Sequence, residues 1–355
     1  MSSVRKIAKR VGVSVATVSR ALNNHPHVDP ETRRRVLQDA SEAGYSLGGA
    51  RQVSTVIGLV YACEVVLADY GAFETALLSG ILRGLNEHRF DVKILSVQRD
   101  KSPNESYSEF FYRKGIRGAI LRTVQQTRGV CKAIADEGFP SIVVADHFEE
   151  PNVNFIWCSS RDDFRRATQH LVDLGHQRIA LAMHRVPDTD HLDREQGFRE
   201  ALADARLVPD PQLTLRADGG SDGGASAITR LMSLPNPPSA VMFTDPLATV
   251  GALRRCLELG IRIPADLSIV GFDDSDIRKH TYPACTSVCQ DAQMLGVEAA
   301  RWLIHRVVTD DTDSKSFRMV RSTFLEINQS TSRPSAEPFR VLPDGTRAPV
   351  SGERA

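Results

Sequence analysis

The spacing of apolar and polar positions changes character near residue 54. Ahead of it, apolar residues recur at helical intervals in three short segments. Val4, Ile7, Ala8 and Val11 form one face. Gly12 then breaks the helix, in the left-handed conformation that glycine tolerates. Ser14 caps a second helix over 15–22, with Val18 and Leu22 inward, and Pro26 ends that segment. A third helix starts at Asp29 and Pro30, stops at Gly44, and turns Val36, Leu37, Ala40 and Ala43 inward. Beyond residue 54, short apolar runs alternate with helical stretches. Strands are predicted over 55–61, 92–97, 118–123, 141–145, 154–158, 178–183, 213–217, 240–244 and 267–272. Helices are predicted over 73–88, 105–114, 128–138, 162–174, 193–205, 223–233, 247–259 and 291–308. Such alternation predicts doubly wound α/β sheets. Nine strands suit two sheets better than one, and a ligand would then sit beyond the strand ends, in the cleft between two lobes.

Two short helices joined by a glycine turn and braced by a third make a helix-turn-helix. Its second helix would enter the major groove. The outward residues there are Val15, Ala16, Thr17, Ser19 and Arg20. Arg20 can fork onto guanine, and Val15 and Ala16 offer methyls to thymine. Ser14, Thr17, Ser19 and Asn23 suit phosphate oxygens, which position without specifying. Charge supports this reading. The chain has 44 basic and 44 acidic residues, but residues 1–52 hold nine Lys/Arg against four Asp/Glu. A basic head on an acidic body points to a polyanion partner.

The length of 355 residues is enough for two or three domains, and 41% hydrophobic with 25% charged residues is ordinary for a globular chain. No apolar run approaches the roughly 18 residues of a membrane span, and the N-terminus does not read as a signal peptide. The expectation is a cytoplasmic protein, associated with the nucleoid when bound to DNA. The six cysteines (63, 131, 158, 256, 285 and 289) form no CxxC pair and read as reduced, buried thiols; no metal site or cofactor is expected.

The run Ile7-Ala8-Lys9-Arg10-Val11-Gly12-Val13-Ser14-Val15-Ala16-Thr17-Val18-Ser19-Arg20-Ala21-Leu22-Asn23 closely resembles the headpiece of LacI/GalR-family transcriptional regulators. So do Val28, Thr32-Arg33, Val36 and Gly44-Tyr45. In the body, Leu174-Gly175-His176 through Ala180, Arg194 through Phe198, and Pro264 through Asp274 are similar to family elements, as are Pro283, Thr286, Val288 and Gln290. The resemblance spans about residues 4–308. It implies a headpiece over 1–46, a hinge over 47–54, and a two-lobed, periplasmic-binding-protein-like core over 55–329 that binds effector and dimerises. The implied function is a sequence-specific regulator, a repressor, whose operator affinity is set by a sugar or sugar derivative between the lobes. The implied partners are pseudo-palindromic operator DNA, that effector, and a second copy of the chain. The hinge departs from the family: Ser46-Leu47-Gly48-Gly49-Ala50-Arg51-Gln52-Val53 lacks the usual Pro-Asn pair and puts two glycines where a minor-groove helix would form. Effector contacts implied by matching positions are Phe73, Ser159, Arg194, Asp245 and Asp273. Thr244 and Ser159 stand where members often carry Asn and Asp.

Other features compete less well. Gly219-Gly220-Ser221-Asp222-Gly223 matches GxSxG, a nucleophile elbow that would need His280 or His305 for a serine hydrolase. The same residues also suit a loop that caps a helix. A sugar sensor with impaired DNA binding is the other alternative. His176, in a helix-to-strand corner, reads as a buried, hydrogen-bonded histidine. From Ser330 to Ala355, four prolines without periodicity predict a disordered tail.

Overall fold

The computed structural model describes residues 4–22, 28–42, 54–63, 71–185, 188–309 and 316–350. The chain divides into two compact units, Met1–Ser54 and Thr55–Ala355.

The first unit holds α1 (Val4–Val11), α2 (Val15–Leu22) and α3 (Pro30–Glu42). Ile7, Val18 and Val36 are fully buried at its centre, one from each helix, with Ala8, Val11, Ala21, Val28 and Ala40 around them. Gly12 turns the chain between α1 and α2 at φ +76°, where any side chain would be strained. Arg35 of α3 donates to the Val11 carbonyl at 2.7 Å, satisfying one of the free carbonyls at the end of α1. The expected starts of α2 and α3 are both present. The Thr17 N–H donates to the Ser14 hydroxyl at 3.0 Å, and the Thr32 N–H to the Asp29 carboxylate at 2.9 Å. Asn23, Gly44 and residues 47–53 of the hinge expected over 47–54 lie outside the described residues.

The second unit consists of two lobes, each built on a six-stranded sheet. The N-terminal lobe contains β1 (Val56–Tyr61), α4 (Ala72–Asn86), β2 (Asp91–Ser96), α5 (Val97–Asp100), α6 (Tyr107–Lys114), β3 (Gly118–Arg122), α7 (Arg128–Asp136), β4 (Ser141–Val144) and β5 (Phe155–Ser159). The C-terminal lobe follows with α8 (Arg161–Asp173), β6 (Ile179–His184), α9 (Thr189–Asp204), β7 (Thr214–Ala217), α10 (Gly220–Met232), β8 (Ala240–Phe243), α11 (Pro246–Glu258), β9 (Ser268–Asp273) and β10 (Thr286–Cys289). The chain then returns to the first lobe for α12 (Ala292–Thr309) and β11 (Arg318–Ser322), and ends in the second with β12 (Phe324–Glu326). The strand orders are β11-β5-β4-β3-β1-β2 and β12-β10-β9-β8-β6-β7. All pairs are parallel except β12 on β10.

The chain therefore crosses between lobes three times, near Ser159–Ser160, at Gln290–Asp291 and at Thr323. Two crossings are tied together: the Thr323 hydroxyl lies 3.2 Å from the Ser159 carbonyl and 2.5 Å from the Asp163 carboxylate. The central strands are buried along their whole length and mostly apolar, as expected for parallel sheets covered on both faces.

Nine expected strands and eight expected helices of the core are present, with ends shifted by no more than four residues. The tail expectation is corrected. Residues 330–350 are folded. The Ser330 hydroxyl takes the Thr286 N–H at 2.8 Å and donates to the Ile269 carbonyl at 2.5 Å. A hairpin, β13 (Phe339–Val341) with β14 (Arg347–Pro349), buries Val341 in the C-terminal lobe and pairs Arg347 with Asp266 at 3.1 Å. Pro343-Asp344-Gly345 makes the turn, with Gly345 at φ +82°.

Candidate functional site

The exposed face of α2 carries Val15, Ala16, Ser19 and Arg20, with Ser14 exposed just before it and Thr17 half-buried. Ser14 and Thr17 share a hydroxyl hydrogen bond at 2.8 Å in addition to the cap. Their groups are thereby fixed at the helix N-terminus, where N–H groups and dipole favour an anion such as phosphate. The sequence-predicted DNA-facing residues that the structure describes thus lie together on one helix.

The second candidate site is a cavity of about 450 Å³ between the lobes of the core, within the range of small-ligand pockets. Phe73, Arg194 and Asp245 line it, as expected. Phe73 lies in the first turn of α4 and carries the Arg122 guanidinium over its ring, 4.7 Å from the centroid. Asp245 caps α11 by accepting the Ala248 N–H at 2.7 Å. Arg194 is held from three sides. Its Nε donates to Ser160 Oγ at 3.2 Å, one Nη to the Thr244 carbonyl at 3.0 Å, and its plane lies 3.6 Å from the Phe272 ring centroid.

Two expectations are corrected. Asp273 does not face the cavity. Its carboxylate accepts the N–H groups of Ser275, Ile277 and Arg278 and the Arg278 guanidinium, at 2.8–3.1 Å, and so closes the turn after β9. Side chains alternate along a strand, and the neighbouring Asp274 takes the cavity side. Ser159 does not line the cavity either; it ends β5 at a crossing between lobes, and its carbonyl is the group engaged there.

The remaining wall residues were not anticipated. On the N-terminal side, Glu74 pairs with Arg122 at 2.8 Å and accepts the Tyr61 hydroxyl at 2.9 Å. Burial disfavours the Arg122 cation, but Glu74 and Asp188 outweigh it and raise its pKa. On the C-terminal side, Asp188 caps α9 through the His191 N–H and lies 2.6 Å from the His191 ring. Burial would raise the Asp188 pKa, yet His191, Arg194 and Arg122 hold it below the ordinary range. Asp190 is pushed well above that range, first by burial and then by Asp188. Asp274 is pushed up to about 7 by burial, against the opposing effects of Gln290 and Arg194. Gln290 donates to Asp274 at 2.5 Å.

Three buried atoms on this wall have no hydrogen-bond partner among the described residues: Asp190 Oδ1, Thr244 Oγ1 and Gln290 Oε1. Buried polar groups in native proteins are rarely left so, and all three residues line one cavity. Such a wall is arranged to complete its hydrogen bonds with a polar ligand. No group of three or more potential metal ligands occurs among the described residues.

The nucleophile-elbow motif is absorbed by packing. The strained position is Gly220, at φ +82°, and not Ser221. Added Cβ atoms at Gly224 and Gly251 would fall 1.8 Å from the Ala248 and Ser221 carbonyls, so the glycines serve the close crossing of α10 and α11. His176 is buried between Ser239, Ser268 and the Ser332 carbonyl, which lie 2.8–3.1 Å from its ring nitrogens, and burial lowers its pKa. The six cysteines are buried and free. No described helix is long and apolar enough to cross a membrane.

Comparison with known proteins agrees with both halves. Residues 3–46 match the model for bacterial regulatory proteins of the lacI family, and residues 168–331 match a periplasmic binding protein-like domain. The HTH-type transcriptional regulator CelR of Thermobifida fusca is 28% identical over 335 residues, covering 92% of this chain and 98% of that protein. The HTH-type transcriptional repressor PurR of Haemophilus influenzae is 24% identical over 332 residues, covering 91% and 96%. The solved structure of a CelR–cellobiose complex superposes with a TM-score of 0.65 at 27% identity, over 93% of this chain and all of that one. With a lacI-family headpiece ahead of a periplasmic binding protein-like domain, and similar to transcriptional regulators over nearly their whole length, the chain has the domain organisation of a DNA-binding transcriptional regulator.

Proposed function

We propose that the chain is a dimeric repressor acting on DNA in the cytoplasm, and that a carbohydrate in the cleft between the lobes sets its operator affinity. The observation that carries the ligand half is the convergence of Asp190, Thr244 and Gln290, each with an unsatisfied buried atom, on one cavity. Hydroxyl groups both donate and accept, and so can satisfy all three. Phe73 offers an apolar face to a sugar ring, while Arg194 and Asp245 complete the polar contacts. The likeness to CelR, whose complex holds cellobiose, favours the same ligand class.

In the DNA half, Arg20 reads a base, Val15 and Ala16 contact thymine methyls, and Ser14, Thr17, Ser19 and Asn23 hold phosphates. A pair of headpieces would bind half-sites about one DNA turn apart, and ligand-driven closure of the cleft would change their spacing. Such couplings are typically about 1–3 kcal/mol, a change in operator affinity of roughly 5- to 150-fold.

The test retains sheared genomic DNA on the purified protein at low salt and sequences it. Enrichment of a few fragments sharing a pseudo-palindrome is expected. Arg20→Ala should lose at least about tenfold in affinity for that site and keep ligand binding. Arg194→Ala should keep the operator and lose the ligand response. Protection of the same operator by Arg20→Ala would refute the assignment of α2.

A further inference from the structure

Among the described residues that line the cleft, five are carboxylates: Glu74, Asp188, Asp190, Asp245 and Asp274. They face two guanidiniums, Arg122 and Arg194, and two imidazoles, His184 and His191. With all five carboxylates ionised, the lining keeps a negative charge even when both imidazoles are protonated; burial raises the pKa of Asp190 and Asp274, and a cation between them favours their ionised forms. Glu74 is balanced by Arg122 at 2.8 Å. Arg194 is a poor counter-ion for the rest, because its nearest carboxylate is Asp190 at 3.9 Å and two of its nitrogens are spent on Ser160 and Thr244.

The excess is also one of acceptors. Asp190 Oδ1 and Gln290 Oε1 are buried and unpartnered. Gln290 has turned its amide N–H toward Asp274, so its oxygen is what remains for a ligand. Sugar acids and sugar phosphates bring further acceptors and negative charge. A protonated amine brings three donors, no acceptor, and the missing charge. Its hydrogen bonds to carboxylates are about twice as strong as neutral ones.

We propose that the cleft selects a polyhydroxylated ligand bearing a free amine, an amino sugar, whose ammonium is held by Asp190 and Asp274, and that it rejects sugar acids and phosphates. This rests on the reading of the cleft as a carbohydrate site.

The test is calorimetry on the full chain with four disaccharides of one size: cellobiose, the β-1,4-linked glucosamine disaccharide, its N,N′-diacetyl form, and cellobiuronic acid. The free amine should bind at least about tenfold more tightly than cellobiose, as expected for an added charged hydrogen bond. Acetylation should abolish that gain, and the acid should bind most weakly. Asp190→Asn and Asp274→Asn should each bring the amine-to-hydroxyl ratio down to within about threefold of one. Each variant is first checked for cooperative melting; if one fails, the other carries the comparison. Cellobiose binding as tightly as the amine, or tight binding of the acid, overturns the amine proposal and leaves the carbohydrate reading standing. If none of the four and none of their monosaccharide units bind, both fall together.

Discussion

The two lobes have six-stranded sheets wound in the same order, yet they present opposite kinds of wall to the cleft. On the N-terminal side, Glu74, Arg122 and Tyr61 satisfy one another, and Arg122 also donates to the Val144 carbonyl at 2.7 Å. On the C-terminal side, Asp190, Thr244 and Gln290 each leave a buried atom unsatisfied, and burial raises the pKa of Asp190 and Asp274. The first wall is complete without a ligand. The second stores unfavourable burial that a ligand can relieve. On the proposed reading of the cleft, specificity would lie with one lobe, and the other would be the counter-surface from which Phe73 stacks.

The contrast predicts opposite consequences for removing an acid from each side. Glu74→Gln strips Arg122 of its partner inside the protein, and breaking a buried pair costs about 3–5 kcal/mol. Urea denaturation should show that loss, at unchanged slope. A loss below about 1 kcal/mol would mean that Asp188, across the cleft, compensates Arg122, and that the walls are not independent. The next effect is smaller and depends on pH. Asp274 titrates near 7 when folded and near 3.8 when unfolded, so the folded state holds the extra proton. Its contribution is fully present below about pH 4, falls as pH rises toward 7, and is flat above. Between pH 5 and 8 the loss from this group should be about 2–3 kcal/mol. Asp274→Asn should therefore flatten the dependence of unfolding free energy on pH. An equal slope in the variant would place the buried proton elsewhere, with Asp190 the first alternative.

What was legible in the sequence follows the range of the interactions. The headpiece is built from local signals: Gly12, the Ser14 cap, and the Asp29-Pro30 start are each complete within four residues. The strands of the core were legible for the same reason, as unbroken apolar runs. The cleft is legible only where the resemblance marks a position, at Phe73, Arg194 and Asp245. Glu74 and Arg122 are 48 positions apart, and no local pattern announces their pairing. Asp188 and Asp190 fell outside the expected helix because its start was set at 193 instead of 189. The signal is present: Asp188 as an N-cap with Asp190 in the first turn is a helix-start pattern. Asp273 and Asp274 are adjacent at the strand end, and the one-residue alternation that separates them is visible only once that end is fixed. The folded tail is hidden from composition, because four prolines without periodicity match a disordered segment. Taken singly, Pro343-Asp344-Gly345 between two short runs is a hairpin turn.

The smallest expected effect tests whether the two walls are mechanically joined. Arg128 of the N-terminal lobe donates to Thr189 Oγ1 at 2.5 Å, across the cleft at the first turn of α9. The same guanidinium is anchored within its own lobe by Asp146 and by the His147 carbonyl. Thr189→Val would remove that bond together with the weaker one its hydroxyl donates to Gln125 Oε1 at 3.5 Å, both spanning the lobes. A single hydrogen bond to a charged donor is worth about 1.5–3 kcal/mol when buried, and less here because Arg128 keeps its other partners. Stability should therefore fall by at most about 1 kcal/mol. Ligand affinity should fall by no more than about fivefold, because closure is also supported by His147 on Asp193 at 3.3 Å. Calorimetry and urea denaturation on the same preparation separate the two quantities. If affinity instead fell a hundredfold while stability held, the closed cleft would depend on this one bridge. The N-terminal wall would then be an active clamp rather than a passive surface, and the division of labour between the lobes would have to be redrawn around Arg128.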